Sequence, residues 1–137
     1  MNNLEVLDIL IPKITSDVVF VTGDFSFLPR LRLGKKDKAL EILFQKILEK
    51  SANATIVYPL ASLHLCNSSI PFNINTTPSS EMGAFSEYLR SKSNSLRSLH
   101  PFWSVGAIGS LAKQLTTDIS PHAYSINSIW DRLCNVN

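Results

Sequence analysis

The sequence predicts an α/β fold with a partly parallel sheet and flanking helices, because two strand-like runs lie on either side of an amphipathic helix. Residues 17–22, Asp-Val-Val-Phe-Val-Thr, are rich in β-branched side chains and are followed by Gly23 and Asp24, which predicts a strand that ends there. Residues 54–58, Ala-Thr-Ile-Val-Tyr, form a second such run before Pro59. A strand, a helix and a strand in this order predict a parallel pair joined by a crossover.

The connecting helix is the clearest amphipathic segment of the chain. Between Asp37 and Lys50, apolar residues recur at the spacing i, i+3, i+4, i+7 and i+8, namely Leu40, Leu43, Phe44, Ile47 and Leu48. This spacing places them on one helical face. Residues 3–11 carry a shorter helical pattern, which Pro12 is expected to end.

The second half of the chain alternates loops with shorter elements. Residues 60–78 are rich in Ser, Asn, Thr and Pro and are predicted to form a long loop, of the kind that is usually functional or mobile. Ser79 or Ser80 is expected to cap a helix that runs to about Arg90. Its apolar face would carry Met82, Phe85 and Leu89. The remaining segments are predicted as a strand, a short helix and a loop, at residues 104–108, 110–115 and 116–129.

Composition excludes several classes of protein. With 137 residues, 45% hydrophobic and 18% charged, the chain is expected to fold as one ordered domain. Its 13 basic and 11 acidic residues give a net charge of +2, too balanced to indicate a nucleic-acid partner. No apolar run is long enough to span a bilayer, and Glu5 and Asp8 interrupt any signal-peptide core. We therefore expect a cytoplasmic protein with no membrane partner.

The metal-ligand residue types are scattered along the chain. Cys66 and Cys134 are far apart and are expected to be free thiols in a reducing compartment. Together with His64 and His122 they show no spacing typical of a zinc site. The sequence thus predicts no metal.

Two motifs carry a specific resemblance. Residues 77–90 read Thr-Pro-Ser-Ser-Glu-Met-Gly-Ala-Phe-Ser-Glu-Tyr-Leu-Arg, and residues 97–109 read Arg-Ser-Leu-His-Pro-Phe-Trp-Ser-Val-Gly-Ala-Ile-Gly. In this order and at this separation they resemble the signature of the aminoglycoside 3-N-acetyltransferase family. There, Thr-Pro-Ser leads into Met-Gly, a Glu and an Arg, and Arg-Ser-x-His-Pro-x-x-Ser-Val follows. The resemblance extends more weakly to residues 17–22, 54–59 and 121–133.

The resemblance implies a three-layer α/β/α fold of which residues 1–137 form the N-terminal part, as a single domain with an incomplete sheet. It also implies an acetyl-CoA-dependent N-acetyltransferase acting on an amino group of an aminoglycoside or related amino sugar. Such a transfer needs a base for the amine proton, donors for the thioester oxyanion and a groove for the coenzyme. The family's Thr-x-x-His-x-x-Glu-type element has no counterpart in these residues, so the chain is expected to be a fragment. A non-catalytic remnant or interaction domain that keeps the fold is the alternative.

His100 is the catalytic candidate, since it is the histidine inside a motif. It either contacts the substrate or coenzyme, or only fixes a turn before Pro101. The candidate coenzyme ligands are Ser26, Arg97, Ser98, Ser104 and Val105. Arg97 could hold a phosphate or could be a surface residue at the end of a helix. The small residues after Ser104 could admit a ligand or only allow tight packing.

The segment after the first predicted strand departs from the family's pattern, which bears on coenzyme binding. The family's His-Ser-Ser-Leu-Ser run after the first strand is matched here by residues 22–26, Thr-Gly-Asp-Phe-Ser. Only Ser26 is kept, and Asp24 would repel a phosphate.

Glu87 is the candidate contact for a cationic amine, with a solvated helix face as the alternative. Acids near the long loop are few, which favours an acceptor less charged than an aminoglycoside. A basic run between residues 30 and 38 could attract phosphates or simply be solvated.

Overall fold

A four-stranded mixed sheet organises the chain, whose structure is a computed structural model that describes residues 3–136. Its strands are β1 (Val18–Phe20), β2 (Thr55–Pro59), β3 (Leu96–Arg97) and β4 (Val105–Ile108). They lie in the order β1-β2-β4-β3. β1 and β2 are parallel, as predicted, whereas β4 runs antiparallel to both of its neighbours.

Within residues 3–136, five α-helices flank the sheet on two sides. They are α1 (Asn3–Leu10), α2 (Lys36–Lys50), α3 (Gly83–Arg90), α4 (Ala112–Thr116) and α5 (Ile129–Asn135). The first three pack on one face of the sheet, where Leu43, Phe85 and Leu89 join Ile56 and Tyr58 in one buried cluster. The last two pack on the other face against a second cluster, formed by Val57, Val105, Ala107, Ala112, Leu115 and Ile129. The α/β prediction is confirmed.

The start of α3 differs from the prediction. A 3-10 turn over Ser80–Met82 precedes the helix, which begins at Gly83. The prediction that Ser79 or Ser80 caps it was wrong, because the Ser79 hydroxyl donates instead to the Ala61 carbonyl at 2.6 Å. Ser79 therefore ties the start of the helix to the long loop.

The long loop over residues 60–78 is confirmed, with one 3-10 turn at Leu63–Leu65. Among the strands and α-helices of residues 3–136, two were not predicted. β3 has only two residues, and α5 begins after Ser128, whose hydroxyl accepts from the Asp131 N–H at 3.2 Å. Both cysteines are free, as predicted, and both are exposed.

Among the helices that the structure describes, none has the length and apolar character needed to cross a membrane. In residues 3–136, no group of three or more His, Cys, Asp or Glu side chains is placed to hold a metal ion.

Candidate functional site

The guanidinium of Arg97 holds three segments of the chain together. Arg97 is 9% exposed, at the end of β3. Its Nη1 donates to the Thr77 carbonyl at 2.5 Å, and its Nη2 donates to the Leu60 carbonyl and the Ser62 hydroxyl, both at 2.7 Å. Its Nε donates to the Ser104 hydroxyl at 2.9 Å. Arg97 thus fastens both ends of the long loop to the sheet.

No carboxylate contacts the Arg97 guanidinium among the described residues, and the ring of Phe72 stacks on it at 5.0 Å. Burial, with a smaller effect from the charge of Arg90, lowers the pKa of Arg97 to about 10. The group stays charged at neutral pH, so carbonyl dipoles and an aromatic face solvate a buried cation. Arg97 is therefore not the surface residue that one reading of the sequence allowed.

Ser98 and Val105 pair across the hairpin of β3 and β4. The Ser98 N–H donates to the Val105 carbonyl at 2.9 Å, and the Val105 N–H donates to the Ser98 hydroxyl at 2.9 Å. The Ser104 hydroxyl donates to the Leu60 carbonyl at 2.7 Å. The structure brings four of the predicted coenzyme ligands, Arg97, Ser98, Ser104 and Val105, into one buried network. Their contact with a coenzyme stays a prediction.

The glycines in and directly after β4 match the packing of the neighbouring strand β2. A Cβ on Gly106 would lie 2.3 Å from two ring atoms of Tyr58, and a Cβ on Gly109 would lie 2.7 Å from the Thr55 Cα. Tyr58 is fully buried, and burial raises its pKa to about 12. Its hydroxyl bonds the Ser95 hydroxyl. Close strand packing thus accounts for the glycines of this motif.

His100 lies in the turn between β3 and β4. Its Nδ1 accepts hydrogen bonds from two backbone N–H groups, those of Phe102 at 3.2 Å and Trp103 at 2.9 Å. The backbone N–H of His100 donates to the Ser98 carbonyl at 3.1 Å. Burial, together with the nearby His122, lowers the pKa of the half-buried His100. The His100 ring therefore stabilises the turn, and its part in catalysis stays a prediction.

A cavity of about 400 Å³ opens beyond the carboxyl end of β1. Its walls come from the segment after β1, from α2 and from the start of α3, with Phe25, Leu28, Leu40 and Phe85 among them. The rings of Phe25 and Phe85 lie 4.9 Å apart. Ligands of open α/β sheets commonly bind at the carboxyl ends of strands, and this volume suits a small ligand or part of a larger one.

Ser26 lines this cavity with Asp24 and Lys36. The Asp24 carboxylate accepts from the Ser26 N–H at 2.8 Å and from the Ser26 hydroxyl at 3.0 Å. These bonds, the backbone one first, lower the pKa of Asp24. The carboxylate therefore stays ionised at neutral pH and keeps a negative charge at the cavity.

Glu87 lines an adjoining cavity that shares Lys36, Leu40, Gly83 and Ala84 with the first. Its carboxylate accepts from the Ser79 N–H at 2.6 Å and from Arg90 at 3.0 and 2.9 Å. Although burial acts to raise it, these bonds lower the pKa of Glu87. Glu87 thus fixes the start of α3, and its contact with an amine stays a prediction.

The predicted residues divide into three places. Ser26 and Glu87 line the two adjoining cavities, the buried network surrounds Arg97, and His100 lies in the hairpin turn. Phe25 and Phe85 were not predicted to line a cavity, because an apolar side chain in the sequence does not show whether it packs in the core or faces a ligand. It also missed the pair formed by His64 and Glu81, whose Nδ1 and Oε1 lie 2.8 Å apart. No spacing rule connects these two residues.

A model of a known family, described as aminoglycoside 3-N-acetyltransferase, matches residues 46–137. No curated protein sequence matches the chain. Among solved structures, the YokD protein from Bacillus subtilis is similar, with a TM-score of 0.69 and 21% identity over 96% of this chain and 57% of that one. AAC-IIIb, solved as a binary complex with CoASH, has a TM-score of 0.72 and 18% identity over 95% of this chain and 53% of its own.

A variant of the aminoglycoside acetyltransferase AAC(3)-IVa in complex with apramycin is similar too, with a TM-score of 0.72 and 23% identity. The alignment covers 100% of this chain and 54% of that one. At these identities the similarity shows the fold. The chain spans about half the length of the solved structures that it matches.

Proposed function

Because the chain belongs to the aminoglycoside 3-N-acetyltransferase family, we propose that it forms part of an acetyl-CoA-dependent N-acetyltransferase. The acceptor is an amino group of an aminoglycoside or a related amino sugar. The observation that carries this proposal is the cavity at the end of β1, in a fold whose relative AAC-IIIb binds CoASH. A relative that binds apramycin supports the class of acceptor.

The coenzyme's slender pantetheine arm is the ligand that best suits this cavity. The walls are mainly apolar, with Phe25, Leu28 and Phe85 among them, and an alkyl-amide chain buries apolar area there at little polar cost. Lys36 at the same cavity supplies a positive charge for a phosphate. Bound there, acetyl-CoA would supply the thioester that the amine attacks.

The buried network around Arg97 contributes to the proposed function by holding segments of the chain in place. Arg97 and Ser104 direct their polar groups to the long loop, so we assign them to holding this loop against the sheet. Ser98 bonds Val105 and is assigned to fixing the hairpin of β3 and β4. A loop that is already ordered can contact the substrate without the entropy cost of becoming ordered on binding. Glu87 has the same kind of role at the start of α3, through Ser79 and Arg90.

One observation favours a non-catalytic alternative. Ser26, the residue kept from the family's run after β1, has both its N–H and its hydroxyl bonded to Asp24. A carboxylate in this position repels a phosphate and occupies the donors that would bind it. A chain that keeps the fold but binds no coenzyme is therefore the competing function.

Calorimetry with acetyl-CoA separates the two functions. For residues 1–137 alone we expect a Kd weaker than about 1 μM, because the chain spans about half of its solved relatives. Tighter binding by these residues alone would contradict the view that the coenzyme site needs the other half of the fold. No binding up to millimolar acetyl-CoA, by any polypeptide that contains them, would favour the non-catalytic function.

The Asp24→Ser variant is expected to bind acetyl-CoA about fivefold more tightly. The change removes a charge that repels phosphate and frees the two donors of Ser26, and solvent around the exposed Asp24 keeps the effect modest. Asp17→Ser is the matched control, since it makes the same charge change at an exposed position just before β1, at the opposite end of this strand from the cavity. Equal affinities of the two variants would place the coenzyme's phosphates away from Asp24.

A further inference from the structure

The hydrogen bonds of His100 fix where its ring proton lies. Nδ1 accepts from the N–H groups of Phe102 and Trp103, at 3.2 and 2.9 Å. A neutral imidazole has one accepting and one donating nitrogen. Because Nδ1 must accept, the proton of the neutral ring lies on Nε2.

The distal nitrogen is free to meet a ligand. Among residues 3–136, no side chain or carbonyl accepts a hydrogen bond from Nε2, and the His100 ring is half-buried rather than enclosed. The ring is held against Phe102, with centroids 6.5 Å apart. The turn that carries His100 precedes β4, and because Pro59 at the end of β2 pairs with Val105 at the start of β4, it lies at the sheet edge where β1 and β2 end. Ligands of α/β folds commonly bind at this edge, and a donor that is fixed in direction there is prepared to bind an acceptor.

We propose that His100 acts in the proposed acetyl transfer as a fixed hydrogen-bond donor, through Nε2–H, to an acceptor oxygen of the coenzyme. This inference rests on the proposed function. In this tautomer Nε2 has no lone pair for the amine proton, so His100 is not the general base. No proton is transferred; a hydrogen bond forms to a carbonyl or phosphate oxygen. The lowered pKa of His100 keeps the ring neutral at pH 7 and is consistent with this role.

Nitrogen NMR of the histidine side chains tests the tautomer without any activity measurement. In ¹⁵N-labelled protein near pH 7.5, long-range proton–nitrogen correlations are expected to show His100 as neutral with the proton on Nε2. His64→Gln and His122→Gln variants assign the signals. A proton on Nδ1, or a ring that is charged at this pH, would overturn the proposal.

Two variants separate the two nitrogens. An Asn side chain can accept the N–H groups of the following turn residues, as Asn commonly does in turns, but it has nothing at the place of Nε2. Gln reaches the place of Nε2 with an N–H and gives up the acceptor near the turn. His100→Asn is therefore expected to keep the melting temperature and His100→Gln to lower it by about 5 °C.

For ligand binding, the two variants are expected to rank in the opposite order to that for the melting temperature. The probes are S-acetylpantetheine, which offers the thioester carbonyl, and inorganic phosphate. At millimolar concentration one of them should shift the Nε2–H signal of the wild type, and its affinity should fall about tenfold in His100→Asn and less in His100→Gln. The probe that acts identifies the oxygen.

Calorimetry with acetyl-CoA on the same polypeptide distinguishes failure of this inference from failure of the proposed function. If acetyl-CoA binds and neither probe shifts the Nε2–H signal, the donor role is overturned and the proposed function stands. If acetyl-CoA binds to no polypeptide that contains residues 1–137, the proposed function fails, and the donor role fails with it.

Discussion

Replacing Arg97 with Met is expected to lower the free energy of unfolding by about 3 kcal/mol, the largest loss among single side-chain truncations in the loop network. The change leaves the Thr77 carbonyl and the Ser62 hydroxyl without the donors that Arg97 gives them, and each buried unsatisfied group costs about 1–3 kcal/mol. Urea unfolding followed by circular dichroism measures the change. A second signal, protease cleavage within residues 60–78, should rise in parallel because the loop is released.

Arg30→Met is the matched control for this experiment. Arg30 is exposed in the 3-10 turn over Leu28–Leu31, and surface substitutions of this kind usually change stability by no more than about 0.5 kcal/mol. If Arg97→Met cost as little as the control and the loop stayed resistant to protease, the buried guanidinium would not be what holds the loop.

Replacing Gly106 with Ala is expected to cost about 3 kcal/mol or more. The added methyl would lie 2.3 Å from the Tyr58 ring, and Tyr58 is fully buried, so the ring cannot move aside without opening the core. Overpacking of this kind typically costs about 1–3 kcal/mol, and more where the neighbours cannot yield. Thermal and urea unfolding measure the loss.

A double-mutant cycle with Tyr58→Leu identifies the cause. Leucine lacks the ring atoms that the methyl would meet, so Gly106→Ala should cost little in that background, with a coupling of about 2 kcal/mol. The same cost in both backgrounds would mean that the methyl conflicts with something other than Tyr58.

Local patterns predicted the first half of the fold well. The spacing of Leu40, Leu43 and Phe44 gave the right face of α2, and the β-branched runs located β1 and β2. The direction in which strands pair cannot be derived from such patterns alone, because the side-chain period is two in both parallel and antiparallel strands. The antiparallel β4 and the two-residue β3 depend on long-range contacts that no short window contains.

The candidate site was predictable in its residue types and not in their roles. Arg97, Ser98 and His100 were singled out because of a motif, and all three lie within or beside one hairpin. Charged residues are usually exposed, so nothing in the sequence indicated that Arg97 would be buried among carbonyls. Turn geometry likewise decides that the His100 Nδ1 is an acceptor. Asp24 binding to Ser26 is local and could have been anticipated from their spacing of two residues.

Coenzyme A release, followed with a thiol reagent over a panel of aminoglycosides and simpler amino sugars, tests the proposed acetyl transfer most directly. We expect acetyl-CoA-dependent release with at least one amino sugar when residues 1–137 are part of a polypeptide that also carries a His-Glu element, and little or none from these residues alone. Acetyl-CoA with no acceptor is the control for hydrolysis. The absence of amine-dependent release from every polypeptide that contains these residues would contradict the acetyltransferase function.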